Sequence, residues 1–237
     1  MIIKDEQGIS LAWGLSKSIE QRARRRAFWV ACFVENLPSG SRILEIGPGL
    51  GYLTELLVKK NLSVTTVEQS EKIYRMIKNK MHRLKVTIIN KNFLDLNWSD
   101  TDERYHALVG VGILHHFWYH PEWSHLISKP IRNGGKIVFL EPNPRNIIAQ
   151  FIFNTRFGRY LFSLDPKECL KKEPMIIRDL QKAGFNNITI SPCDLMYPLP
   201  VNLPAKYFDQ MEKNVPQFLL KLTAQSILIY AEKTEVT

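Results

Sequence analysis

Sixteen residues constrain this chain more than any others: residues 42–57, RILEIGPGLGYLTELL. A mainly apolar run over 43–46 stops at Gly47-Pro48-Gly49-Leu50-Gly51, and a helical pattern starts at Tyr52. This spacing predicts a strand, a tight turn and a helix. Glycine allows such a turn because, lacking a Cβ, it takes up backbone conformations closed to other residues and lets a ligand come close. The start of the helix then aims unpaired N–H groups at whatever lies above the turn. A second β-branched run, LSVTTV, ends at Glu68, 21 residues after Gly47. A carboxylate at the end of a second strand can accept both ribose hydroxyls of a nucleoside whose tail crosses the glycine turn.

The rest of the chain keeps the alternation. SEKIYRMIKNKMHRL predicts a helix with Ser70 as its N-cap, KVTIIN a third strand and YHALVGVG a fourth. PEWSHLISKPI reads as a helix with Pro121 in its first turn, and NGGKIVFLEP as a turn and a fifth strand. EPMIIRDLQKAGF is a helix ending at Gly184, NNITISPCD a sixth strand and SILIYAEK a seventh. The expected fold is α/β: a Rossmann-like, seven-stranded, mainly parallel sheet flanked by helices. A single domain over 1–237 is expected, with 1–40 as an N-terminal helical cap and 41–142 as a cofactor-binding core. Residues 143–237 supply cap segments and the C-terminal part of the sheet. Two stretches, 143–165 and 194–225, break the rhythm and are expected to be irregular. They concentrate aromatic and basic residues over the sheet edge where such folds place substrates.

Composition narrows the partners without choosing among them. The net charge of +9 permits an anionic partner: a nucleic acid, a lipid headgroup or a phosphorylated metabolite. Cys32, Cys169 and Cys193 are scattered, with no CxxC pair and no metal-ligand spacing with the six histidines. Reduced thiols and no metal site are therefore expected. The opening MIIKDEQG lacks a basic segment followed by an apolar core, and no run approaches the ~18 apolar residues of a membrane span. A cytoplasmic location is the expectation.

The segment LEIGPGLGYLTELL resembles motif I of the class I S-adenosylmethionine-dependent methyltransferases. IINKNFLDL resembles the family's segment after the third strand. VGVGILHHF resembles the segment after the fourth strand in the small-molecule group related to quinone-biosynthesis methyltransferases. IRNGGKIVFLEPN resembles the approach to the fifth strand. The resemblance spans residues 41–142 and implies S-adenosylmethionine as cofactor. It assigns Glu45, Gly47, Gly49 and Gly51 to the cofactor's aminoacyl end and Glu68 to its ribose. Asn92 and Phe93 go to the adenine, and Val111 and Gly112 to the rim beside the sulfonium. Asn92 stands where Asp is usual, and its side-chain carbonyl can still accept from the adenine amino group. His106 stands where the fourth strand often starts with Asp.

The implied reaction is methyl transfer to a small-molecule or lipid-like metabolite by in-line displacement. His115 and His116, after the fourth strand, are candidates for a general base or an acceptor-orienting pair, with packing of the loop as the alternative. Tyr119 and His120 are weaker candidates. Arg156, Arg159 and Tyr160 are the substrate candidates, suited to an acceptor with an apolar body and an anionic group. The arginines among residues 22–26 read as a solvated face or an anion contact. Two other functions stay open. LEIGPGLGYLTELL also looks like the opening of the rRNA adenine dimethyltransferases. However, amino-methylating enzymes place Asn/Asp-Leu/Pro-Pro-Tyr/Phe after the fourth strand, where this chain has VGVGILHHF. A non-catalytic S-adenosylmethionine-binding protein is the other alternative.

Overall fold

The computed structural model describes residues 17–98, 104–195 and 205–234. In chain order the elements are α1 (Lys17–Cys32), β1 (Arg42–Ile46), α2 (Tyr52–Lys59), β2 (Ser63–Glu68), α3 (Glu71–Lys80), β3 (Val86–Asn90), β4 (Tyr105–Val111), α4 (Trp123–Ser128), β5 (Ile131–Pro142), α5 (Ile147–Asn154), α6 (Arg156–Phe162), α7 (Glu173–Lys182), β6 (Phe185–Cys193), α8 (Ala205–Asn214), α9 (Gln217–Thr223) and β7 (Ser226–Lys233). Short 3₁₀ turns occupy Phe93–Asp95 and Leu114–His116.

The strands form one seven-stranded sheet in the order β3-β2-β1-β4-β5-β7-β6. The first five are parallel, and β7 runs antiparallel to both β5 and β6. This is the expected architecture. The order turns back between β1 and β4. In open sheets of this kind, ligands bind outside the C-terminal strand ends at that switch point.

Strand alternation divides the core between two faces. Leu44 and Ile46 of β1 pack with Trp123, Ile127 and Phe139 on one side. Ile43 packs with Leu53 and Leu57 of α2, and with Ala27, Val30, Ala31 and Val34, on the other. The stretch expected to cap the site thus contributes core through its 27–34 half. Strand β4 begins without the expected Asp: the Arg42 N–H donates to His106 Nδ1 at 3.1 Å, so the imidazole joins β1 to β4. Ser70 caps α3 by accepting from the Ile73 N–H, as expected. Pro121 does not: it lies in a turn, with the Trp123 N–H bonded to the His120 carbonyl, and α4 starts two residues later.

The segments expected to be irregular hold four helices among the described residues, α5 and α6 in one and α8 and α9 in the other, each pair joined by a short turn. Asn146 caps α5 by accepting from the Ile148 and Ala149 N–H groups, and Thr155 caps α6 by accepting from Gly158. Helix α6 sits so close on α5 that a Cβ at Gly158 would lie 2.4 Å from the Phe151 carbonyl oxygen. Their apolar residues do not fall on one helical stripe, which hid both helices in the sequence. Residues 196–204 lie outside the described residues, and so does the part of the expected helical cap at 1–16. Among the described residues no helix is long and apolar enough to cross a membrane.

The basic cluster on α1 is not a solvated face. Arg22 and Arg26 each donate from Nε to Asp194 Oδ2 at 2.9 Å, and Arg25 reaches Asp194 Oδ1 at 3.4 Å. Arg25 also donates to Asp209 at 2.7 Å and pairs with Glu212 at 2.9 Å. Asp194 is fully buried, and burial lowers the Arg22 pKa to about 10. Arg24 alone of the four pairs at the surface, with Glu20. Removing one member of a buried ion network leaves uncompensated charge and costs about 3–5 kcal/mol. Asp194→Asn should lower the unfolding free energy in urea by about that amount. A loss within about 1 kcal/mol, the range of an exposed pair, would contradict this account.

Candidate active site

The glycine turn joins β1 to α2, and its three glycines do different work. Gly47, Gly49 and Gly51 have φ of 65°, 52° and 76°, in the left-handed region. A Cβ on Gly51 would meet Met81 Cε at 2.4 Å, and one on Gly47 would meet Ile113 Cδ1 at 2.9 Å. These two are needed for close packing against α3 and against the loop after β4. A Cβ on Gly49 would meet nothing within 4 Å. The surface above Gly49 is therefore open, the shape required of a cradle for a ligand's backbone-facing edge.

Acids border this turn. Glu45 is almost fully buried and accepts from Thr54 Oγ1 at 2.6 Å. Burial raises its pKa to about 7 against the pull of that hydrogen bond. Glu68 ends β2, one strand away, and its Oε1 accepts from the Ser70 N–H at 2.8 Å. Asn90 Nδ2 donates to the Glu68 carbonyl at 2.9 Å and so secures the strand end.

Two adenine candidates sit differently from the simplest expectation. Asn92 Oδ1 accepts from the Leu94 N–H at 3.0 Å and caps the Phe93–Asp95 turn. One lone pair of that oxygen remains for a ligand. The Phe93 ring is in the core, 5.5 Å from Trp98 and 5.8 Å from Phe117 between centroids, so it offers a ligand only its backbone.

Across the switch point, Val111 ends β4 and Gly112 follows with φ 66°. The next residues turn around one buried carboxylate. Glu141 of β5 accepts from the N–H groups of Ile113 at 2.8 Å, Leu114 at 2.7 Å and His115 at 3.3 Å. His115 Nδ1 lies 2.9 Å from Glu141 Oε2. An ionised carboxylate can only accept, so Nδ1 carries the hydrogen, and in the neutral imidazole Nε2 is then the nitrogen with the free lone pair. The His116 ring stacks beside it at 4.2 Å. Burial, and then the His115 ring, hold the His116 pKa down to about 3.

Sequence reasoning missed Glu168, which faces both imidazoles. Its oxygens lie 3.7 Å from His115 Nε2 and 3.5 Å from His116 Nδ1. Burial raises its pKa above the ordinary carboxylate range. The sequence showed no metal-ligand spacing, yet the fold gathers three metal-ligating groups here, with ligand atoms all within 4.8 Å of one another. Phe153 of α5 closes the other side of His115 edge-on, at 5.6 Å between ring centroids.

The substrate candidates on α6 do not converge on this cluster. Arg159 is spent on main-chain carbonyls: Nη1 donates to Phe153 at 2.7 Å and Glu168 at 3.0 Å, and Nη2 to Asp165 at 2.6 Å. It shapes the loop that carries Glu168 and is no free fork for an anion. Tyr160 is 81% exposed and points away from the core, and Arg156 is exposed. Tyr119 is exposed too, and His120 Nδ1 accepts from the Glu122 N–H.

The raised pKa of Glu45 has a measurable consequence. A carboxyl whose folded pKa lies above its unfolded value stabilises the fold below the unfolded value and loses that contribution as pH rises through the folded one. The wild type should therefore lose stability relative to Glu45→Gln as pH rises from about 4.5 to about 7. Urea unfolding of both proteins across that window measures the difference. A difference that does not change with pH would mean that Glu45 ionises as freely in the fold as out of it.

Comparison with known proteins agrees with this geometry. A family model described as a methyltransferase domain matches residues 19–190. A ubiquinone biosynthesis O-methyltransferase of Coxiella burnetii is 30% identical over 132 residues, covering 54% of this chain and 54% of that protein. One from Alkalilimnicola ehrlichii is 25% identical over 131 residues, covering 54% of this chain and 51% of its own. The chain thus spans about half the length of the curated relatives it matches. Phosphoethanolamine N-methyltransferase 2 of Haemonchus contortus, solved with S-adenosyl-L-methionine, has the same fold at a TM-score of 0.65 and 14% identity, over 89% of this chain and 53% of that one. The family match extends from within α1 through most of β6 and takes in the glycine turn, Glu68 and the histidine pair, and this chain belongs to the methyltransferase-domain family.

Proposed function

We propose that this chain transfers the methyl group of S-adenosylmethionine to a small-molecule acceptor. The observation that carries the reading is one of position. Open space above Gly49, the Glu68 carboxylate and the His115–His116 pair all border the C-terminal strand ends at the β1–β4 switch point. In this reading the cofactor's aminoacyl end lies on the glycine turn near Glu45. Its ribose lies on Glu68, its adenine beside Asn92 and the Phe93 backbone, and its sulfonium at Val111 and Gly112. The bound cofactor supplies an already activated methyl group. The chain's part is to align the acceptor and exclude water.

His115 and His116 orient the acceptor's nucleophile. The Nε2 lone pair of His115 is held in place because Glu141 fixes the opposite nitrogen. Phe153 gives the acceptor's apolar body a wall. With Arg159 committed to the main chain and Arg156 exposed on α6 away from the histidine pair, neither arginine is given an anionic group of the acceptor. The quinone-biosynthesis relatives favour oxygen as the methylated atom. A nucleic-acid acceptor is the weaker reading, because the segment after β4 lacks the residues that hold an extruded base.

Calorimetric titration with S-adenosylhomocysteine tests the cofactor side. Losing a charged hydrogen-bond partner costs roughly 1.5–3 kcal/mol, so Glu68→Ala should bind about tenfold more weakly or worse. Unchanged affinity would remove Glu68 from the ribose. On the acceptor side, His115→Ala should slow methyl transfer in a metabolite extract while S-adenosylhomocysteine affinity holds. Equal rates in wild type and variant would place the acceptor elsewhere.

A further inference from the structure

We propose that His115 Nε2, His116 Nδ1 and a Glu168 carboxylate oxygen form a binding site for a divalent transition-metal cation. The inference rests on the reading above, that the acceptor meets the chain at this histidine pair, and it gives that pair a second ligand.

The separations decide between a hydrogen-bonded cluster and a ligand set. A charge-assisted hydrogen bond between imidazole and carboxylate spans about 2.7–2.9 Å. Here Glu168 Oε2 lies 3.7 Å from His115 Nε2 and Oε1 lies 3.5 Å from His116 Nδ1, both too long for that bond. Ligands bound about 2.1 Å from one ion stand about 3.0–3.5 Å apart at tetrahedral or octahedral angles. The present atoms lie within 4.8 Å of one another, so side-chain rotations that move them by about 1 Å close the set.

The surroundings are built as a metal site's usually are. A ligating histidine normally gives its other ring N–H to a carboxylate, which fixes the ring and strengthens the lone pair facing the ion. Glu141 does this for His115 at 2.9 Å. Glu168 is steered as well. Its Oε1 accepts from the Asp165 N–H at 3.0 Å, and Arg159 holds the carbonyls of both Asp165 and Glu168. The Cys169 N–H donates to the His115 carbonyl at 3.4 Å and draws the two segments together. His115 and Glu168 are buried, while the His116 side chain is 38% exposed and leaves a way in for the ion.

Two imidazoles and one carboxylate suit zinc, iron(II), cobalt(II) or manganese(II) better than magnesium or calcium. Three protein ligands leave coordination positions open. An oxygen of the acceptor takes one of them, beside the rim at Gly112. The cation then does for the acceptor oxygen what the bare His115 lone pair would otherwise do: it holds the nucleophile in line.

The test is cobalt(II) titration of full-length, tag-free protein after chelator treatment and dialysis, followed by visible absorption and calorimetry. One equivalent should bind with the d–d bands of a nitrogen- and oxygen-ligated ion, and zinc should displace it. Glu168→Gln and His116→Ala should each weaken binding at least tenfold, and Glu141→Gln about 10–100-fold through the orientation of His115. S-Adenosylhomocysteine binding by the same samples shows that each variant is folded. Glu68→Ala should bind cobalt as the wild type does. Absence of stoichiometric cobalt binding by the wild type overturns the proposal, and so does equal binding by Glu168→Gln and His116→Ala. Either result leaves the methyl-transfer reading standing if S-adenosylhomocysteine still binds. Loss of cofactor affinity in Glu68→Ala with cobalt binding intact separates the two sites.

Discussion

Glu141 ties the two halves of the site together. It is fully buried near the end of β5, where an unpaired carboxylate would be very costly. Three consecutive backbone N–H groups and one imidazole compensate it. Those same bonds set the path of the chain after β4. They bring Ile113 over Gly47, where a Cβ would touch it, and turn His115 toward the Glu168 loop. Remove the carboxylate and the loop loses its template on both sides: the glycine turn loses a wall, and the histidine pair loses its direction.

The sheet supplies the frame for this hub. Parallel strands place β1, β2 and β4 with their C-terminal ends on one edge, so Gly49, Glu68 and Gly112 come together without any long-range device. The proposed acceptor side needs such devices. Asn143 and Asn146 donate to carbonyls at the end of α9, which anchors α5 beside β7. Helix α5 then presents Phe153 to His115, and Arg159 gathers the 165–168 loop. The proposed cofactor side and acceptor side are thus built on different principles, topology for one and side-chain clamps for the other.

That difference explains what could be read from the sequence. The glycine turn, Glu68, the strands and the capped α3 are local patterns, with periodicity and spacing that survive folding unchanged. The family resemblance added the candidate cofactor residues for the same reason, since its motifs are contiguous. The arginines of α1 were misread because their partners, Asp194, Asp209 and Glu212, lie more than 160 residues away. Glu168 was missed because it meets His115 only after two helices have folded back. Arg159 looked like an anion fork since a guanidinium suits carboxylates and main-chain carbonyls alike. Helices α5 and α6 were hidden by aromatic residues that cover more than one stripe.

The central claim is that a nucleoside cofactor lies over Gly49 with its reacting centre turned toward the histidine pair. A crystal structure with S-adenosylhomocysteine tests it most directly. The account predicts ribose hydroxyls on Glu68, the aminoacyl end over Gly49, and the sulfur facing Gly112 and His115. Density for the ligand elsewhere, or a sulfur turned away from His115 with the histidine pair sealed from it, would contradict the account.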